Sequence, residues 1–184
     1  QMGEKPDGEN MPQDTTTDES GTSTKGIKAG GGMYLNGGTY QIDSADDSIH
    51  SNANITIADG TYTLATGDDG VHADDALIVN GGTITVTESY EGLEGLAVTI
   101  NDGTIDITAS DDGINTAGEK MELNGGYIHI LAGGDGVDSN GDLTINGGEI
   151  YIDGPSDNGN SAIDYGDRSS AYVNGGTLVA IGSS

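Results

Sequence analysis

One phrase recurs at a nearly fixed interval through this chain, and that recurrence restricts what it can fold into. Aligned on an Asn-Gly-Gly tripeptide, the copies begin at Asn36, Ala58, Asn80, Asn101, Asn124, Asn146 and Asn174, with steps of 22, 22, 21, 23, 22 and 28 residues. A period in the twenties is the mark of a solenoid, in which each coil buries its apolar side chains only against neighbouring coils.

Within each copy, apolar residues fall at −3, −1, +4, +6 and +13 from the Asn position. The third coil gives Leu77, Val79, Ile84, Val86 and Leu93; the second gives Ile55, Ile57, Tyr62, Leu64 and Val71. Pairs two apart are the alternation of a strand, one side chain in and the next out. Three inward clusters per coil, separated by turns, describe a three-sided parallel β-helix whose coils stack about 4.8 Å apart. The chain holds 33 glycines and neither Phe, Trp nor Cys. A globular core built from that composition would be thin, whereas rows of stacked Ile and Val need no large aromatics. Glycine at the corner permits positive φ, and a column of asparagines there can hydrogen-bond from coil to coil.

Residues 1–24 are polar and read as a linker or surface tether; the repeat register occupies 25–184. Lys25-Gly26-Ile27-Lys28 is a shortened copy of Asp69-Gly70-Val71-His72 with lysine in place of the acid. The sixth coil carries an insertion, Gly154 to Asn160. The sequence stops at Ser184 without a polar cap, so we expect either a fragment or an end that meets a partner.

A second column is acidic. Two residues before the +13 position stand Asp47, Asp69, Glu91, Asp112 and Asp135; before these lie Asp46, Asp68 and Asp111; just after the apolar residue come Glu94, Asp138 and Asp164. Carboxylates stacked at the inter-coil distance repel. Calcium, with Ca–O distances of about 2.3–2.6 Å and six to eight oxygen ligands, removes the conflict. With only hard oxygen donors in the column and no thiol, calcium is favoured over zinc, and several ions are expected. At the end of the column Lys25 and Lys28 can do the work of a metal. A solvated acidic turn is the simpler alternative. His50 and His72, neighbours in the same column, are open to two explanations: a transition-metal pair or a shared turn position.

The formal net charge of −26 disfavours nucleic acid and anionic lipid as partners, and no apolar run approaches the ~18 residues of a membrane-spanning helix. Catalysis is not expected: a calcium-dependent lyase needs a base near the metal, and the five Lys and Arg residues lie away from the middle of the acidic column. Gly67-Asp68-Asp69 resembles one polygalacturonase motif, but its companion motifs are missing. Tyr127, His129, Glu149 and Tyr151, at +3 and +5 of adjacent coils, should form one outward patch suited to a sugar ring, or merely to cross-strand packing.

The run GDDGVHADDALIVNGGTITVTESYEGLEG, followed by Ser110-Asp111-Asp112-Gly113-Ile114-Asn115, resembles the clostridial-type carbohydrate-binding domain-containing proteins. The resemblance covers about 25–184. It implies a calcium-containing right-handed β-helix similar in fold to pectate lyases, binding cellulose and acidic sugars such as polygalacturonate, in a secreted or cell-surface protein. Calcium bridging carboxylates of both partners would explain acidic-sugar binding on so negative a surface. The expectation is therefore an all-β, right-handed three-sided parallel β-helix of about seven coils that binds extracellular polysaccharide through calcium without catalysis. The alternative is a surface or fibre subunit that self-assembles through its open ends.

Overall fold

The computed structural model describes residues 23–118, 120–156 and 159–183. The polar segment 1–24 lies outside the described residues except for its last two. The described chain is all-β, without helix, and its strands form one continuous parallel solenoid.

Three faces can be traced. The first stacks Ile27–Ala29, Ile49–Ser51, the beginnings of Val71–Val79 and Leu93–Ile100, then Ile114–Thr116, Val137–Ser139 and Ile163–Tyr165. The second runs from Met33 and Ile55 through Leu77 and Val98 to Met121–Leu123, Leu143–Ile145 and Ala171–Val173. The third takes the later halves of Met33–Ser44 and Ile55–Thr66, then Thr83–Glu88, Thr104–Ala109, Tyr127–Ala132, Glu149–Asp153 and Thr177–Ile181. Seven strands on each face enclose about six full turns. The insertion in the sixth coil does not disturb the register, because Val137 pairs with Ile163 and Asp138 with Asp164 beyond it.

The five apolar positions form the core. Leu77, Val79, Ile84, Leu93, Val98, Ile100, Ile105, Ile107 and Ile114 are fully buried, as are Met121, Leu123, Ile128 and Ile130 in the following coil. In the first coils the +4 position carries tyrosine instead. Tyr40 and Tyr62 stack with ring centroids 4.8 Å apart, and each hydroxyl donates to a corner carbonyl, Gly37 O at 3.0 Å and Asp59 O at 2.8 Å. A buried phenol with a partner costs little.

The corners differ along the stack. Strand pairing runs straight through the corner in Met33–Ser44 and Ile55–Thr66, with register shifts around Asn36, rather than breaking at a turn. From the third coil on, the Asn ladder forms as expected. Each Asn donates its side-chain N–H to the Oδ1 of the Asn before it: Asn101 to Asn80, Asn124 to Asn101, Asn146 to Asn124 and Asn174 to Asn146, all at 2.7–2.8 Å. Ala58 interrupts it. The second glycine of the motif is needed twice over: Gly126 has φ of +86°, and a Cβ there would lie 2.6 Å from Gly103 O in the coil before.

Candidate functional site

The acidic corner follows the third face and precedes the first. In three of its coils one carboxylate oxygen serves the backbone of the next coil. Asp47 Oδ1 accepts the Asp69 N–H at 3.3 Å, Asp112 Oδ1 accepts the Asp135 N–H at 2.7 Å, and Asp135 Oδ1 accepts the Ser161 N–H. The backbone carbonyls at this corner are partly committed: those of Glu91, Asp112 and Asp135 each accept an N–H from the preceding coil. A glycine column keeps this corner tight, since a Cβ on Gly113 would fall 2.5 Å from Gly136 O.

Charge compensation divides the column into two halves. In the first half Lys25 Nζ lies 2.8 Å from Asp46 Oδ1 and 2.6 Å from Asp47 Oδ2. Burial opposes the charge on Lys25 but these bonds hold its ammonium above the usual range, and they likewise hold Asp46 below its own against burial. Lys28 stands in register with His50 but takes no part in these pairs. Asp68, close to Asp46 and Asp47, is pushed up by burial and by their charges.

The histidines belong to this half. His50 Nδ1 lies 2.7 Å from Asp47 Oδ2, while His72 Nδ1 lies 2.9 Å from both Asp69 Oδ2 and Glu94 Oε2. Burial opposes a charge on His72, yet the hydrogen bonds to these two carboxylates outweigh it and push its pKa to about 11. Glu94, buried but bonded to this imidazolium, is held below its usual range; burial and the Glu94 charge push Asp69 up. His50 is lowered, by burial and then by the nearby Lys25. Both imidazoles also face Asp74, which sequence reasoning missed; it occurs in one coil only, so no column announces it.

Among the described residues, the second half has no such cations. Asp112, Asp135 and Asp138 bring one carboxylate oxygen each to within 4.8 Å of one another. Burial and then the neighbouring charges push Asp112 up to about 7 and Asp138 to about 6, and raise Asp135. Glu91 reaches about 8 through burial and the Glu94 charge, despite a hydrogen bond from Asn115 Nδ2 at 3.0 Å. Asp111 receives the Tyr90 hydroxyl, whose pKa that bond lifts to about 12. Asp164 stands in register with Asp138 and adds to the repulsion there. Among the described residues, Asn115 Oδ1 is the buried side-chain oxygen left without a hydrogen-bond partner. Asn115 pairs with Asp138 in the next coil, so an unsatisfied acceptor adjoins the uncompensated carboxylates. An all-oxygen donor set with an orphaned amide oxygen fits a hard dication.

The strand register sets Tyr127, His129, Glu149 and Tyr151 side by side on adjacent coils. Tyr127 pairs with Glu149 and His129 with Tyr151. The two tyrosine rings lie 5.6 Å apart at 40°. His129 Nδ1 is 2.9 Å from Asp106 Oδ1, a partner absent from the expectation. Tyr127 and Glu149 also line an open groove with Asp102, Thr104 and Thr177 beside the glycine corner.

A parallel β-solenoid that carries an outward aromatic patch and an acidic corner is a repeat protein rather than a globular domain. The chain belongs to the carbohydrate-binding domain-containing protein family, whose model matches residues 5–70 and 68–183. Comparisons with curated proteins and with solved structures give no match.

Proposed function

We propose that this protein binds acidic polysaccharide outside the cell, without catalysis, and that calcium held at the acidic corner is required. The observation that carries the reading is the Asp112, Asp135 and Asp138 cluster: three converging carboxylates and no neutralising cation among the described residues, beside the orphaned Asn115 Oδ1. An isolated protein would not keep several ionised carboxylates this close without a counter-charge. A dication there supplies it and leaves coordination positions for a uronate carboxylate. Glu91, Asp111 and Asp164 extend the same half of the column. Asp46, Asp47, Asp68, Asp69 and Glu94 lie in the half that Lys25 and the histidines already neutralise, and calcium is proposed there less naturally. The tyrosine patch, with Tyr127, His129, Glu149 and Tyr151, offers faces for neutral sugar rings such as those of cellulose.

The test is calorimetric titration of polygalacturonate into the protein with calcium present and after chelation. We expect binding only with calcium, and its loss in Asp112→Asn/Asp138→Asn. Equal binding after chelation would overturn the metal bridge. Sedimentation separates the scaffold alternative: a fibre subunit polymerises through its ends without any sugar, whereas the binder stays monomeric.

A further inference from the structure

We propose that His50, His72 and Asp74 form a separate site for a divalent transition ion of the zinc class. Nε2 of His50 lies 3.7 Å from Asp74 Oδ1, and Nε2 of His72 lies 3.5 Å from the same oxygen. Zinc–nitrogen and zinc–oxygen bonds of about 2.0–2.2 Å place two tetrahedral ligands about 3.3–3.6 Å apart. The His72 separation matches such an edge and the His50 separation lies about 0.1 Å beyond it; neither is a good direct hydrogen bond. The imidazole rings sit one coil apart with centroids 5.0 Å from each other, and the Nε2 atoms of both approach the same Asp74 oxygen.

The outer partners are in place as well. Each histidine turns its Nδ1 inward to a carboxylate, His50 to Asp47 and His72 to Asp69 and Glu94. This carboxylate–histidine arrangement fixes the ring and makes Nε2 the better donor to a metal; on His72 zinc must first displace the Nε2 proton of the imidazolium, so its binding strengthens as pH rises. Asp74 is held from its other side, where Asn52 Nδ2 donates to Oδ2 at 3.2 Å, which leaves Oδ1 facing the imidazoles. His50 is buried, His72 partly so, and Asp74 is exposed, which leaves a fourth position open to water. Two imidazole nitrogens select for zinc, nickel or copper over calcium. This set is independent of the Asp112, Asp135 and Asp138 cluster and can fail without it.

The experiment is titration of zinc into the untagged protein held in excess calcium, with cobalt(II) absorption as a second readout of geometry. We expect one equivalent to bind and cobalt to give the visible bands of a tetrahedral ion. Asp74→Ala, at an exposed position, should keep the metal-free melting midpoint while weakening zinc at least tenfold. His72→Gln should abolish the cobalt bands. Asp112→Asn/Asp138→Asn should leave zinc binding unchanged. Wild-type zinc affinity in Asp74→Ala, no zinc binding at all, or loss of zinc in the Asp112→Asn/Asp138→Asn protein would overturn the proposal.

Discussion

At the scale of single residues, glycine decides whether coils can approach. Gly126 holds a φ that side chains rarely adopt, and Gly103 O of the preceding coil occupies the space a methyl would need. Gly126→Ala should therefore cost about 2–4 kcal/mol, from backbone strain and overpacking together. Gly30, with no atom within 4 Å and an ordinary backbone, is the matched control; Gly30→Ala should stay within about 0.5 kcal/mol. Urea unfolding measures both. Equal effects at the two positions would mean that the coil spacing can relax around a methyl. The same reasoning explains what the sequence revealed at this scale. The Asn-Gly-Gly phrase is legible because its requirement recurs in every coil, and the Asn ladder follows from stacking alone. Asp74 is illegible for the opposite reason: it lies in a single coil, and only the folded path brings Asp74 beneath imidazoles from two coils.

At the scale of the element, the first rung acts as a charged lid on the acidic column. Ile27–Ala29 pairs with Ile49–Ser51, and this places Lys25 over two carboxylates, one of them, Asp47, 1% exposed. The replacement of acid by lysine at the start of the register made this pairing readable; the absence of Lys28 from it was not, because register fixes position and not reach. Lys25→Met keeps the aliphatic stem and removes the charge. Asp46 and Asp47 are then left without their ammonium, and removing one partner of a largely buried pair is costly because the other stays behind. We expect a loss of about 3 kcal/mol at neutral pH, measured by urea unfolding. The companion Lys28→Met should change little. If Lys25→Met matched it, the lid would be a surface feature screened by solvent.

At the scale of the whole molecule, the acids accumulate along one edge faster than the fold can neutralise them, and this sets how stability depends on pH. Glu91, Asp112 and Asp138 have folded-state pKa values of about 8, 7 and 6, against about 4 for carboxylates in an unfolded chain. Between those limits the folded form holds protons that the unfolded form has released, so stability falls as pH rises. His72 acts in the same direction above its unfolded pKa, because its stabilising charge is lost only as pH climbs toward about 11. Asp46, held low by Lys25, opposes this only in acid, where its stabilisation disappears as pH falls through its depressed pKa. The metal-free protein should therefore melt highest near about pH 5 and progressively lower toward about pH 8. Calcium at the proposed site would bind the ionised carboxylates and so compete with protons. Its stabilisation should be largest at the alkaline end and fade toward about pH 5, flattening or reversing the slope. Melting curves across that range, with calcium and with chelator, test both halves of the argument. A chelated protein that gains stability from about pH 5 to 8 would show that the repulsion is relieved by water alone. The acidic corner would then be an ordinary solvated edge, leaving the sugar to bind by other means.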